Sequence, residues 1–369
     1  MATLSTAEAR DEVNKMDDLR SPLTNPRFQD RTECHITFLI LFSILLVLRA
    51  PSPSFAEDRV TYVPEGASSA VTVLGNVDDY TGRRLTLRTK SGAVRFLPAE
   101  SVQSIETIYD PLHLKGIEQF QSGDHKAAIE SFRQAIPREP RDWVERELYS
   151  WILKCALREQ DLTGAIEAFL RIVKNDPETR HWGLAPLIWV PQSVSEGLRE
   201  AARPWLVSPH APERLLGASL LLLEPVYGEP AERELDRLSR DTNIFITTYA
   251  KAQLWRLKLG ARDVNDIVLA NWKSQIDRMP RGLRGGPQYL LSRGFELNGD
   301  IRRAVAESLW IPFVYVENER VAARALSDSA DLLRRSGMEL ESKRLFQELQ
   351  LRYPWSSEAR STRGQLEGQ

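Results

Sequence analysis

Cysteine is nearly missing from this 369-residue sequence, which has only Cys34 and Cys155. A pair so far apart supports neither a disulfide framework nor a Cys-x-x-Cys metal or redox motif. Histidine is equally thin: His35, His113, His125, His181 and His210 are isolated from one another and from cysteine, without His-x-x-x-His spacing. A zinc site is therefore not expected. Nor is there an excess of either charge. With 49 Lys+Arg against 51 Asp+Glu, the formal net charge is -2, so no basic field draws in nucleic acid or anionic lipid. A phosphate loop ending in Gly-Lys-Ser/Thr is absent, and Gly217-Ala218-Ser219 does not complete a Gly-x-Ser-x-Gly elbow. No catalytic, cofactor-binding or metal-binding residues are assigned, and an enzyme is not expected. Cys155 falls in a helical stretch and reads as a small buried residue rather than a nucleophile.

Long hydrophobic runs are also few. Ile36 to Leu48 (ITFLILFSILLVL) is the one strongly apolar run, and it falls short of the roughly 20 residues a membrane-spanning helix needs. It has the length of a signal-peptide core. The sequence PSPSFAED follows, with Ser54 and Ala56 supplying small side chains where signal peptidase reads, so the cut is expected between Ala56 and Glu57. Residues 1–56 are thus read as a leader and the mature protein as periplasmic or secreted, with Cys155 as its single thiol. Two features fit alternatives: the stretch before the run carries both signs of charge, and Arg49 follows it at once. An uncleaved anchor, with Arg49 snorkelling to the interface, and a short buried strand or helix remain open. An anchor would be the only contact with a membrane. Met16 is an alternative start.

What the sequence does contain falls into two parts. Residues 57–108 show short alternating runs, RVTYV, AVTVLGNV, RLTLRT, AVRFL and SVQSIET, with turn residues between them at Pro64-Glu65-Gly66, Asp78-Asp79-Tyr80-Thr81-Gly82, Ser91-Gly92 and Pro98-Ala99-Glu100. Val71, Val73, Leu85, Leu87, Val94 and Phe96 alternate with polar neighbours, the period of half-buried strands. Five strands of this length make a small barrel or curled sheet. The run from the Gly-x-Val strand through Thr-Lys-Ser-Gly to Leu-Pro-x-x-x-Val-x-x-Ile resembles SH3-like and Sm-like barrels. Such barrels serve many functions, and the resemblance implies none of them. Tyr62, Tyr80 and Phe96 read as core or cross-strand packing in preference to a peptide groove.

After Asp110-Pro111 helical periodicity takes over. Leu112 to Gln121 and His125 to Ile136 are joined by Ser122-Gly123-Asp124, where glycine permits the turn and aspartate can cap the second helix. Gly116, Gly123, Ala128, Phe132, Ala135 and Pro140 have the spacing of a tetratricopeptide repeat, which they resemble: small residues let the helices approach, large ones fill the seam, and proline ends the pair. Ala165, Phe169, Ile172 and Pro177 repeat the pattern 37 residues on, with Asp161 in the turn and Leu153 where glycine or alanine is usual. Residues 109–180 are read as two repeats. A third, residues 321–356, rests on Ala330, Leu333, Gly337, Phe346, Leu349 and Pro354, with Ser342 replacing a small apolar residue. Its ending, FQELQLRYPWSSEA, resembles the closing helix of repeats in bacterial envelope proteins of the Tol-Pal-associated and outer-membrane-assembly type. Residues 181–320 are expected to be degenerate but still helical repeats, with their tryptophans filling gaps between helices, and 357–369 a tail. The fold class is therefore mainly α, an α-solenoid of helical hairpins behind a small β module.

The same resemblance implies that the first helix of each pair lines a concave, ligand-binding surface. That places Asp110, His113, Ile117 and Gln121 from the first repeat, and Glu147, Ser150, Lys154 and Arg158 from the second, in a partner-binding groove. The Lys/Asn set that grips a peptide's terminal carboxylate is not reproduced. Lys154 and Arg158, one turn apart, suit an acidic segment or are ordinary exposed charges, the preferred reading. Arg281 and Arg284 sit in a glycine-rich basic stretch, Arg281 to Pro287, which reads as a flexible inter-helix loop before an anion-binding one. Together these features point to a non-enzymatic protein-interaction scaffold of the bacterial envelope or periplasm, with a protein or peptide partner and no nucleic acid. The alternatives are an accessory subunit or enzyme with a site in the middle helices, and a membrane-anchored envelope-structural protein.

Overall fold

The computed structural model describes residues 57–366. The leader, its apolar run and the Ala56 side of the expected cut lie outside the described residues. Among those described, no helix is long and apolar enough to cross a membrane. Mainly helical architecture with an antiparallel five-stranded sheet at its N-terminal side matches the expected fold class.

The sheet comprises β1 (Asp58–Tyr62), β2 (Val71–Tyr80), β3 (Arg84–Arg88), β4 (Val94–Pro98) and β5 (Val102–Glu106), in the order β4-β3-β2-β1-β5. β2 serves two partners: Val71 to Gly75 pairs with β1, and Asn76 to Tyr80 pairs with β3. At the hand-over a Cβ on Gly75 would lie 2.5 Å from the Arg88 carbonyl oxygen, so only glycine lets the strands cross so closely. A 3-10 turn, Ala99–Ser101, links β4 to β5.

Three strand details differ from the sequence reading. Asp78, Asp79 and Tyr80, expected in a turn, continue β2. They are held there because Asp78 pairs with Arg88 (2.6 Å), Asp79 pairs with Arg146, and Tyr80 enters the core. On β4 the buried residue is Leu97, opposite Leu85, while Val94 and Phe96 face solvent. Phe96 is 59% exposed beneath the Arg84 guanidinium, 4.5 Å from its ring centroid, so it is not core. Val71 is also exposed at the start of β2.

The sheet does not close its own core. Val60, Val77, Tyr80, Leu85, Leu87 and Leu97 are joined by Trp143 and Val144, which come from a helix. Trp143 donates its indole N–H to the Val77 carbonyl (3.2 Å), and buried Arg146 donates to the Tyr80 carbonyl (3.2 Å). A second tie comes from the β2–β3 turn, where Gly82 N–H donates to Asp176 (2.8 Å) and Arg83 pairs with Glu178.

The first helices are α1 (Pro111–Gln121), α2 (His125–Ala135), α3 (Asp142–Arg158) and α4 (Leu162–Asn175), packed as two antiparallel hairpins. Asp110, Asp124 and Asp161 cap α1, α2 and α4 by accepting from backbone N–H groups two or three residues on. The seam is as the repeat spacing requires: Ala128, Phe132 and Ala135 are fully buried, as are Ala165, Phe169 and Ile172. A Cβ on Gly116 would fall 2.4 Å from the Phe132 ring. Gly123 turns the first hairpin at φ 86, and Gln160 takes the equivalent left-handed position in the second at φ 60.

The chain continues through α5 (Glu196–Ala202), α6 (Ala211–Leu221), α7 (Gly228–Leu238), α8 (Ile244–Gly260), α9 (Asp266–Arg278), α10 (Gly285–Leu297) and α11 (Ile301–Val314). It ends with the hairpin α12 (Glu319–Arg335) and α13 (Glu339–Arg352), then α14 (Ser357–Leu366). The stretch expected as a tail is thus helical over Ser357–Leu366. Ala330, Ser342, Phe346 and Leu349 are buried in this last part.

The middle is not continuously helical. After a 3-10 turn, Arg180–Leu184, residues 185–194 run without helix although Ala185, Leu187, Ile188, Trp189 and Val190 are buried. Pro186 and Pro191 deny this stretch a helix, so its backbone needs other partners. Ile188 N–H donates to the Ser219 hydroxyl (2.9 Å) of α6, and its carbonyl accepts from Gln253 (3.2 Å) of α8. Most middle tryptophans do fill inter-helix space: Trp255 stacks on Trp272 at 4.7 Å, and Trp182 on Phe245 at 5.6 Å. Trp310 does not, being 48% exposed.

Candidate functional site

The eight expected groove residues do not form one surface. Asp110 caps α1. His113 is fully buried between Tyr109 (4.2 Å) and Phe132 (5.9 Å), with neither ring nitrogen hydrogen-bonded within the protein. Burial lowers its pKa to about 4, so it is a neutral core ring at physiological pH. Ile117 packs against the core, and Gln121 is exposed at the end of α1. Glu147 accepts from Tyr109 (3.2 Å), and buried Ser150 donates to the Glu147 carbonyl (2.8 Å). Of the α1 residues that repeat counting makes concave, His113 is covered by Tyr109 of the linker and by Phe132, whereas Gln121 stays exposed.

Lys154 and Arg158 have a different setting. They line a cleft of about 390 Å³ that sequence-distant elements build together. One wall is α3, with Trp151, Lys154, Leu157 and Arg158, backed by Phe120 of α1. The 3-10 turn supplies Arg180 and His181, the start of α12 supplies Glu319 and Arg320, and Trp355 comes from beyond α13. Arg158 crosses the cleft and grips Glu319 through Nε (2.8 Å) and Nη2 (3.0 Å). Its guanidinium lies over Phe120 (3.9 Å) and Trp355 (5.2 Å). This is a packed, two-pronged ion pair rather than an ordinary exposed charge.

Lys154 places its ammonium 4.3 Å from the centroid of the Trp151 ring. Burial, then neighbouring Arg180, lowers its pKa, partly offset by Glu319. Arg320 is likewise lowered by burial. Burial holds His181 well below its usual value, reinforced by Arg180 and Lys154. The arrangement can attract and orient an anion, and it contains no paired acid, base or nucleophile suited to covalent chemistry. Only Lys154 and Arg158 were legible as site residues; Arg180, His181, Arg320 and Trp355 carry no local motif.

The basic stretch is structural. Arg284 donates to the Met279 and Asp277 carbonyls (2.9 Å each) at the end of α9, and Arg281 to the Val314 carbonyl (3.3 Å). Of the glycines that suggested a flexible loop, Gly285 and Gly286 begin α10 and are buried. Gly286 is needed for contact: a Cβ there would sit 2.2 Å from the Trp189 ring. Cys155 is buried, with burial pushing its thiol up to about 12. Among the described residues, no cluster of three or more His, Cys, Asp or Glu is placed to hold a metal.

A second surface feature lies on the last turns of α11. Trp310 and Phe313 are 48% and 45% exposed, and Val316 just beyond the helix is half exposed. Trp310 stacks on Tyr315 (6.1 Å), and the Arg352 guanidinium covers one side of Phe313 (4.7 Å). Arg352 also donates to the Pro312 carbonyl (3.2 Å). Of the nine tryptophans, Trp310 alone is about half exposed, so packing accounts for only one side of the ring.

No protein-family model matches the chain, and no curated protein matches it. Solved structures similar to it include a tetratricopeptide repeat protein from Parabacteroides merdae, at 16% identity and a TM-score of 0.35, covering 66% of this chain and 92% of that one. PilW, a widely conserved type IV pilus biogenesis factor, is similar at 13% identity and a TM-score of 0.31, covering 68% of this chain and 96% of its own.

Proposed function

We propose that this chain is an exported bacterial protein-interaction scaffold with no catalytic role of its own. The observation that carries the reading is the exposed aromatic pair Trp310 and Phe313 on α11, in an array whose other large rings are mostly packed away. Large exposed rings held in place by neighbours are the usual energetic centres of protein interfaces. Arg352 stacked on Phe313 supplies such an order-giving neighbour and a charge at the rim. The partner is a protein or peptide. A formal charge of -2 gives nucleic acid no field to follow.

In this reading residues 57–108 are an SH3-like module, supported by the β4-β3-β2-β1-β5 order and the 3-10 turn before β5. The helices divide into two tetratricopeptide-type repeats over 109–180, degenerate pairs over 181–320 and a closing repeat over 321–356. Export rests on the leader pattern, with cleavage between Ala56 and Glu57 releasing the protein into the periplasm or beyond. N-terminal sequencing of the protein from cells tests this: a chain beginning at Glu57 supports it, and one retaining the apolar run makes the protein a membrane-anchored component.

Crosslinking with mass spectrometry in intact envelopes tests the docking face. A reproducible protein neighbour should be captured by the native chain and lost from Trp310→Ala/Phe313→Ala. Equal capture by the variant refutes the assignment of the face.

A further inference from the structure

The cleft between α3 and the start of α12 holds more positive charge than its carboxylates neutralise. Its lining carries Lys154, Arg158, Arg180 and Arg320 against Glu317 and Glu319, and Arg158 is already engaged by Glu319. Among the described residues, no carboxylate oxygen lies within 4.0 Å of a cationic nitrogen of Lys154, Arg180 or Arg320. Drawing cations out of water without a counter-ion is unfavourable. Burial lowers the pKa of both Lys154 and Arg320 by more than Glu319 and Glu147 near the first, and Glu358 near the second, raise it, which is the signature of that cost. The Trp151 face beneath Lys154 relieves it only in part.

The remaining lining is flat and apolar. Trp151 meets Phe120 edge to face at 5.1 Å, and the Trp355 ring centroid lies 5.2 Å from the Arg158 guanidinium. Size limits the occupant. A cavity of about 390 Å³ is at the small-molecule end of ligand pockets, and a helix of roughly 10 Å diameter would fill it in about one turn. The cleft therefore suits a compact molecule better than a partner helix.

We propose that this cleft is a binding site for a small organic anion, a carboxylate or phosphate carried on a flat apolar body. Its charge sits among Lys154, Arg180 and Arg320, its flat body rests against Trp151 and Trp355, and His181 supplies a hydrogen-bonding ring nitrogen. Because one wall belongs to the second hairpin and the other to the last, an occupant joins the two ends of the array beside the Arg158–Glu319 pair. The site adjoins the α11 face at Val316, and its test rests on Lys154 and Arg320, which that face does not include.

Titration calorimetry of the full chain tests it with phenyl phosphate and phthalate as probes, inorganic phosphate as an anion without an aryl body, benzyl alcohol as an aryl body without a charge, and a Glu-rich decapeptide as competitor. At least one aryl anion should bind saturably at one site per chain, about tenfold or more tighter than inorganic phosphate or benzyl alcohol. Lys154→Met and Arg320→Gln should each weaken it about tenfold or more, the loss expected for a charge-assisted hydrogen bond, while Arg281→Gln leaves it unchanged. Thermal unfolding of each variant checks that it is folded, and quenching of tryptophan fluorescence in the native chain, reduced in Trp355→Leu, locates the probe independently. Failure of both aryl anions to saturate overturns the proposal. So does binding indifferent to Lys154→Met and Arg320→Gln in folded variants, inorganic phosphate binding as tightly as the aryl anions, or the decapeptide binding where they do not.

Discussion

Gly116 and Phe132 occupy one space, and a double-mutant cycle can measure how completely. A Cβ on Gly116 would lie 2.4 Å from Phe132 Cε1 and 2.7 Å from Cδ1. The ring cannot retreat easily, being fully buried, stacked on Trp151 at 6.0 Å and edge-on to His113 at 5.9 Å. Gly116→Ala gains about 1 kcal/mol of helix propensity and loses about 1–3 kcal/mol to overpacking, so a net loss of up to about 2 kcal/mol is expected. Phe132→Ala should cost about 3–5 kcal/mol, from lost transfer energy and the cavity left behind. In the double variant the methyl added at position 116 enters that cavity, so the combined loss should be smaller than the sum by about 1–3 kcal/mol. Urea denaturation followed by far-ultraviolet circular dichroism, with tryptophan fluorescence as a second probe of two-state behaviour, supplies the four free energies. Additivity to within about 0.5 kcal/mol would falsify the contact, and with it the hairpin seam built on it.

Other variants probe separate parts of the molecule. Gln160 holds a left-handed backbone at φ 60 where the first hairpin has Gly123, so Gln160→Gly should stabilise by about 1 kcal/mol in the same denaturation assay; a loss would show the Gln160 side chain to be needed. Gly82→Ala would place a Cβ 1.6 Å from the Glu178 carbonyl oxygen, backbone against backbone, and should cost about 1–3 kcal/mol or more. Limited proteolysis should then cut the β module faster, and an unchanged digestion pattern would count against its docking. His113 titrates at about 4 folded against 6.5 for the free side chain, so between these values the unfolded chain binds more protons. Its contribution to stability is complete above about pH 6.5 and lost as pH falls toward 4; His113→Phe should flatten that limb of the stability–pH curve, and an unaltered slope would exclude His113 as its source. Cys155, buried with its thiol raised to about 12, should react with a thiol reagent at neutral pH only on unfolding. Rapid labelling of the native chain would contradict that burial.

The hairpins were legible because their determinants are local. Gly116, Ala128, Phe132 and the Asp caps each act within one helical pair, and period-two alternation marked every strand. Phe96 misled because alternation identifies two faces without saying which is covered, and β4 pairs only with β3. The break at residues 185–194 went unread, although Pro186 and Pro191 within it deny the stretch a helix. Its buried backbone is tolerated only because Ser219 and Gln253, far along the chain, satisfy Ile188. Gly285-Gly286 read as flexibility and proved to be close packing, a distinction that depends on the position of Trp189. The cleft was the least legible part, since its residues are distributed from Phe120 to Trp355. Helical counting reached Lys154 and Arg158 but had no means of finding Arg320 opposite them.

The bridge from Arg158 to Glu319 changes how the array bears load. Helical repeats that touch only their neighbours behave as a one-dimensional chain, fraying from either terminus at little expense to the rest. Here Arg158 holds Phe120 of the first hairpin, Glu319 of the last and Trp355 beyond it around one guanidinium. Fraying of the last hairpin therefore has to break a contact with the second as well as with its own neighbours.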